Sequence, residues 1–191
     1  MPNEQHQEQF LQLLEPVEKS LSHFCRAMTR NPETARDLMS ETILVAFEKF
    51  GTLKDEVAFK SFLFTIARRL HRRARWRKRF FGEFDDVAAH EIHDSNSSPE
   101  VSTDAAILYE ALELLPFKTR EAVILFEISD LSLEQIRDIQ GGTLSGVKSR
   151  VARGRDQLAR ILKTDVEIYH RSNFTNPDLF LKTGIIHSNQ S

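Results

Sequence analysis

The chain has 191 residues, of which 40% are hydrophobic and 28% are charged, and its formal net charge is -2. A chain of this size and composition can bury a core as one medium domain or as two small ones. No apolar run approaches the roughly 20 residues of a membrane-spanning helix, and the first residues lack the features of a signal peptide, which favours a cytoplasmic protein without membrane insertion. Cys25 is the only cysteine, so an internal disulfide or a zinc site with several thiolates is excluded, and Cys25 is expected in the core.

Apolar residues recur at steps of three and four in the first part of the chain, which predicts helices rather than strands. A first helix is expected from about Glu8 to Thr29. Asn31 can cap a second helix from about Pro32 to Phe50, because Pro32 tolerates the first helical position. Its apolar stripe is expected to contain Met39, Ile43, Ala46, Phe47 and Phe50. Its opposite face carries the acidic residues Asp37, Glu41 and Glu48.

A third helix is expected from near Ala58, and its second half contains eight Arg or Lys residues between Arg68 and Arg79. The spacing predicts that Arg68, Arg72, Arg75 and Arg79 lie on one face. Like charges at this spacing repel, so the helix would be stabilised by phosphates, and Trp76 offers a flat surface for an unstacked base. The alternative is a solvated charged face with the aromatic residues in the core.

Residues 83–104 differ in composition, because they contain seven acidic residues, no Lys or Arg, and a centre of Ser, Asn and Pro. This composition predicts a flexible acidic linker between two domains. His90 and His93 have a spacing that could share a metal ion, but no further ligand accompanies them, so a metal site is not expected.

The second domain is expected to begin near Ala105 with two helices separated by Pro116. Ser132 can cap a short helix with Gln135 at the capping-box position, and two glycines then precede a longer helix from Leu144. This layout predicts a helix-turn-helix, whose second helix enters the DNA major groove. A helical pair that only packs is the alternative. No nucleophile with a base, metal cluster or phosphate-binding loop is present, so neither an enzyme nor a cofactor is expected.

The order of these segments resembles a known family. The chain contains "NPETARDLMSETILVAFEKF", "FKSFLFTIARRLHRRARWRKR", the acidic linker, "ALELLPFKTREAVILFEISDLSLEQI" and "GVKSRVARGRDQLARIL" in succession. This order resembles the extracytoplasmic-function sigma factors of bacterial RNA polymerase, over about residues 11–163. In that family, region two docks on the clamp helices of the polymerase and opens the downstream promoter element, whereas region four reads the upstream element.

The resemblance implies an all-α transcription initiation factor whose partners are core RNA polymerase and promoter DNA, and it allows an anti-sigma factor as a further partner. It implies a region-two domain at residues 8–82, a linker at 83–104, a region-four domain at 105–163 and a tail at 164–191. The implied polymerase contacts are Asp37, Leu38 and Glu41. The implied contacts with the downstream element are Arg68, Arg69, Arg72, Arg73, Arg75 and Trp76. Those with the upstream element are Lys148, Ser149, Arg150 and Arg153.

The second domain departs from the family pattern at several positions. Arg137 replaces a small buried residue, which is costly unless the arginine is paired or reaches outward, and Gln140 replaces an apolar residue. Two other functions remain open. A helix-turn-helix regulator without polymerase docking would leave Asp37 and Glu41 without a role, and a sigma-like decoy would bind only an anti-sigma protein.

Overall fold

The protein is built from α-helices in all the parts that the structure describes. This computed structural model describes residues 4–29, 31–81 and 103–172. The helices are α1 (Glu4–Thr29), α2 (Pro32–Lys49), α3 (Phe59–Phe81), α4 (Thr103–Glu113), α5 (Phe117–Val123), α6 (Leu133–Gln140) and α7 (Leu144–Ser172). Two short 3₁₀ turns, Phe50–Thr52 and Glu56–Ala58, connect α2 with α3, and a π-helical turn, Ile124–Ile128, extends α5. No strand occurs in these three ranges, and the predicted all-α class with two helical domains is confirmed.

Helices α1, α2 and α3 form the first domain around a cluster of aromatic rings. Phe10, Phe50 and Phe59 contact one another edge to face, with centroids 5.3 to 5.9 Å apart. Each such pair adds about 0.5–1.5 kcal/mol to the burial of the rings. Asn31 caps α2 as predicted, because its side-chain oxygen accepts a hydrogen bond from the backbone N–H of Thr34 at 3.0 Å. Cys25 lies in this core, where burial raises the pKa of its thiol to about 12.

The apolar stripe of α2 agrees with the prediction at Ala46 and Phe50, which are buried, and lies one residue away from it in the earlier turns. The fully buried line contains Ala35, Leu38, Thr42 and Ala46, at spacings of three, four and four. Met39, Ile43 and Phe47 from the predicted stripe are half-buried at its edge. Thr42 is accommodated in the core because its hydroxyl donates to the carbonyl oxygen of Leu38 at 2.6 Å.

Helices α4 to α7 form the second domain, in which the predicted turn chemistry is observed. The Ser132 hydroxyl accepts from the N–H of Gln135, and the Gln135 side chain accepts from the N–H of Ser132. Gly141 and Gly142 have φ values of +76° and +97°, which L residues rarely adopt, and they join α6 to α7. The helix-turn-helix therefore consists of α6, a two-glycine turn and α7. On α7, Val147, Val151 and Leu158 are buried.

The two domains pack against each other. Helix α1 contacts the π-helical turn of the second domain, and α3 contacts α6. The Ser20 hydroxyl donates to the carbonyl oxygen of Ile128 at 3.4 Å, and Lys60 Nζ donates to the carbonyl oxygen of Asp130 at 2.8 Å. The basic helix α3 therefore has one face against the second domain and another face in solvent.

Candidate polymerase and nucleic-acid interfaces

An acidic face with one apolar residue runs along the outside of α2. Asp37, Glu41 and Glu48 are exposed at spacings of four and seven, so they share one side of the helix. Leu44 lies between them on the same side and is 57% exposed. An exposed leucine flanked by carboxylates suits a partner helix that presents basic residues around an apolar contact. Sequence reasoning missed Leu44, although its spacing of three from Glu41 could have identified it.

Leu38 does not belong to this exposed face. It is 6% exposed and packs in the core of the first domain, because it lies on the buried line of α2. The expectation that Leu38 contacts polymerase directly is therefore corrected. Its position lets it support α2 from beneath, whereas the neighbouring Asp37 and Glu41 are exposed.

The solvent-exposed face of α3 carries most of the predicted downstream-element residues. Arg69, Arg72, Arg73 and Trp76 are exposed, and Trp76 is 56% exposed. The spacing of three, one and three residues places them on adjoining sides of one helix. Guanidinium groups beside an exposed indole can hold phosphates while the ring stacks on an unpaired base.

Arg68 is buried on the side of α3 that faces the second domain, which corrects its predicted place in the exposed basic stripe, whereas Arg75 is exposed near the edge of that side. Arg68 is 8% exposed, and its Nε donates to Glu121 Oε1 at 2.8 Å. The Arg75 guanidinium lies 4.2 Å from the ring centroid of Phe117, also in the second domain. Arg68 is buried because the second domain covers this side of α3, which is a tertiary contact that helical spacing does not predict. In the observed arrangement Arg68 is not accessible to DNA.

The predicted recognition residues occupy the first turns of α7. Lys148, Ser149 and Arg153 are exposed, and Arg153 Nε donates to the carbonyl oxygen of Ser149 at 3.1 Å. Arg150 is half-buried, and its Nε donates to Gln140 Oε1 at 3.1 Å. Helix α7 thus presents a basic, exposed N-terminal part next to the two-glycine turn, as a recognition helix does.

The comparisons with known proteins agree with this geometry. Residues 13–80 match the model of sigma-70 region 2, and residues 105–158 match that of sigma-70 region 4. The chain is 33% identical to an ECF RNA polymerase sigma factor, EcfG, of Rhodopseudomonas palustris, over 76% of this chain and 81% of that protein. The chain belongs to the extracytoplasmic-function RNA polymerase sigma factors. This confirms the family that the motifs indicated, and with it a transcription initiation factor rather than an enzyme.

Further relatives of this sigma factor support the same assignment. RNA polymerase sigma factor YlaC of Bacillus subtilis is 26% identical over 81% of this chain and 92% of that protein. Among solved structures, the sigma factor RpoE of Bartonella quintana, in complex with the anti-sigma factor NepR, is similar with a TM-score of 0.69. The two are 30% identical, and the match covers 83% of this chain and 99% of that chain. As in its relatives, the function is to direct core RNA polymerase to promoters.

The unusual Arg137 of the sigma factor is accommodated at the surface. It is half-buried, and both Nε and Nη2 donate to Asp138 Oδ1, at 2.9 and 2.8 Å. Because it is paired with Asp138 and reaches outward, Arg137 avoids the cost of a buried charge.

Most of the acidic linker, including His90 and His93, and the tail from residue 173 lie outside the described residues. Among the described ones, no group of three metal-ligating side chains occurs. None of the helices described is both long and apolar enough to cross a membrane.

Proposed function

We propose that the first domain of this sigma factor docks on core polymerase through the exposed face of α2 and holds opened DNA with the exposed face of α3. The observation that carries the proposal is the coexistence, within one three-helix domain, of an acidic face with an exposed leucine and a separate basic face with an exposed tryptophan. The contacting residues are Asp37, Glu41 and Leu44 for polymerase, and Arg69, Arg72, Arg73 and Trp76 for DNA.

The second domain reads the upstream element through α7 in this proposal. Lys148 and Ser149 lie in the first two turns of the exposed helix, where recognition helices contact base edges, and Arg153 follows one turn later. The functional division is then residues 8–82 for docking and opening, 105–163 for reading, 83–104 as a linker and 164–191 as a tail. The protein acts in the cytoplasm, where it meets the polymerase.

An anti-sigma factor is a further proposed partner. The solved structure of the 30% identical RpoE contains the anti-sigma factor NepR, and the alignment covers almost all of that chain. A partner of this kind would regulate the sigma factor by covering surfaces that polymerase needs.

The docking proposal is tested by charge reversal on α2. A double variant, Asp37→Lys with Glu41→Lys, is expected to weaken binding to core polymerase by a few kcal/mol and to abolish run-off transcription, because like charges then face the basic partner. The fold should be retained, since both residues are exposed. The matched control is Glu15→Lys with Glu18→Lys, which makes the same charge change on the exposed side of α1.

The outcome separates the sigma factor from its alternatives. Equal polymerase affinity in both double variants would remove the docking assignment. A parent protein that binds DNA but does not bind core polymerase would be a helix-turn-helix regulator. One that binds an anti-sigma factor and supports no transcription from any promoter of a genomic library would be a decoy.

The DNA proposal for α3 is tested by the salt dependence of promoter-complex formation. Replacing Arg69, Arg72 and Arg73 together by Gln should reduce the slope of log K against log salt by about 0.7–0.9 for each lost phosphate contact. A control replaces three exposed cations outside α3, namely Lys19, Lys49 and Lys54. A slope for the arginine variant equal to that of the control would make this side of α3 a merely solvated surface.

A further inference from the structure

A buried ion pair joins the two domains at the centre of their interface. Arg68 of α3 donates through Nε to Glu121 Oε1 at 2.8 Å, and through Nη1 to the carbonyl oxygen of Ile139 at 2.9 Å. The Glu121 side chain has no exposed surface, and that of Arg68 is 10% exposed. Arg68 therefore binds both α5 and the end of α6, and the pair is shielded from water and from salt.

Other residues of α3 contact the second domain on both sides of this pair. Lys60 donates to the carbonyl oxygen of Asp130, and the ring of His71 stacks on Phe117 with centroids 5.9 Å apart and an interplanar angle of 27°. Arg75 covers the same ring. The spacings of these residues along α3 place them on one side of the helix. The interface thus extends along most of α3, and the ion pair lies within it.

The ion pair is also connected to the recognition helix. Glu121 Oε2 accepts from Gln140 Nε2 at 2.7 Å, and Gln140 Oε1 accepts from Arg150 Nε at 3.1 Å. A continuous polar chain therefore runs from Arg68 in the first domain, through Glu121 and Gln140, to Arg150 on α7. Each terminal arginine is thereby bound to a protein acceptor at a position where the family resemblance implies a DNA contact.

We propose that this chain of four residues is an autoinhibitory latch, which holds the sigma factor closed until promoter DNA or polymerase separates the domains. The two ends of the latch are the guanidinium groups of Arg68 and Arg150, and these are the groups that would bind DNA. A guanidinium that binds a buried carboxylate cannot at the same time bind a phosphate, so closure and DNA binding by Arg68 compete. Opening lets water solvate Glu121, so the latch can be released without leaving a buried, unpaired charge.

The closed arrangement can be measured as a distance between spin labels on the two domains. Labels at Gln12→Cys and Ala159→Cys lie on exposed positions of α1 and α7, and the native Cys25 is buried and therefore not labelled. Glu121→Gln removes the buried negative charge. Its control, Glu127→Gln, makes the same charge change at a residue that pairs with Arg155 inside the second domain.

We expect one short, narrow distance distribution in the parent and in Glu127→Gln, and a longer, broader one in Glu121→Gln. Affinity of the polymerase-free protein for a fluorescent DNA duplex of mixed sequence should rise about tenfold in Glu121→Gln relative to Glu127→Gln. Should Glu121→Gln not fold, Lys60→Ala weakens the same interface away from the ion pair. It should shift both readouts in the same direction by a smaller amount.

The DNA part of this inference rests on the proposed function as a promoter-binding protein and on the DNA contacts that the family resemblance implies for Arg68 and Arg150, whereas the distance measurement does not. A broad distribution in the parent, or unchanged distances in folded Glu121→Gln, would overturn the latch. Opening without a gain in DNA affinity would overturn its inhibitory role, even if docking on polymerase is confirmed. Loss of docking in the α2 variants, with opening and increased DNA affinity intact, would leave the latch supported and the docking proposal refuted.

Discussion

His71 makes the stability of this sigma factor depend on pH in a defined window. The imidazole of His71, which projects from α3, is buried and stacks on Phe117. Its Nδ1 has no hydrogen-bond partner among the residues that the structure describes. Burial, followed by the nearby charges of Arg75 and Arg120, lowers the pKa of His71 from 6.5 to about 4, which a hydrogen bond with the backbone of Met28 opposes. The folded protein therefore holds His71 neutral at a pH where the unfolded chain is already protonated.

The sign and size of the effect follow from linkage. Because the pKa is lower in the folded state, the unfolded state binds more protons between pH 6.5 and about 4. The contribution of His71 to stability is fully present above pH 6.5, is lost as the pH falls through this window, and reaches its limit below pH 4. For these two pKa values the loss between neutral pH and pH 5 is about 2 kcal/mol.

The measurement is the free energy of unfolding by urea at about pH 7.5 and about pH 5. We expect the parent to lose about 2 kcal/mol more than His71→Gln over this interval, because the variant has no imidazole to protonate. Carboxylates titrate alike in both proteins, so the difference between the two pH dependences isolates His71. Loss of the stacking on Phe117 lowers the free energy of unfolding of the variant by the same amount at both pH values, so it cancels when the change between the two pH values is compared. Parallel pH dependences would refute the buried, neutral imidazole.

Three further outcomes are expected in the second domain. Gly154→Ala should lower the free energy of unfolding by about 1–3 kcal/mol, because a Cβ there would lie 2.3 Å from Val123 Cγ2. Gly146→Ala should change it by less than about 1 kcal/mol, because the better helix propensity of alanine opposes the close contact of its Cβ with Thr143 Oγ1 at 3.1 Å; urea melts of both variants decide. Lys148→Ala should reduce discrimination between matched and scrambled upstream elements by about 1–3 kcal/mol, and equal losses on both DNAs would contradict base reading. Arg155→Ala should lower the melting temperature without changing that discrimination, because Arg155 pairs with Glu127 and covers Phe126.

Features that depend on neighbouring residues could be predicted from the sequence. Asn31 and Ser132 cap their helices as predicted, because a capping side chain bonds the backbone two or three residues later and needs no tertiary contact. The glycine turn before α7 was predicted for the same reason, since only glycine readily adopts its positive φ values. The exposed positions of Asp37, Glu41, Arg69 and Arg72 also follow from helical spacing.

Features that depend on contacts distant in sequence could not be predicted. The first part of the α2 stripe was misplaced by one residue, because apolar residues surround much of this helix and packing against α1 and α3 selects Leu38 rather than Met39 for burial. Arg68 and Glu121 are 53 residues apart, and nothing in the composition of either segment indicates that they meet. A dense basic block predicts exposure on average, whereas a single arginine in it can be buried if a carboxylate is present.

Gln140 shows how one such distant contact explains a departure from the family pattern. The family resemblance led us to expect an apolar residue at this position, and periodicity alone offers no reason for an amide. In the structure its Nε2 donates to Glu121 Oε2 and to the carbonyl oxygen of Lys118, at 2.7 and 3.1 Å. An apolar side chain would leave one oxygen of a fully buried carboxylate without this donor, at a cost of about 1–3 kcal/mol. The polar residue is therefore required by Glu121, and Glu121 is in turn buried because Arg68 of the other domain binds it.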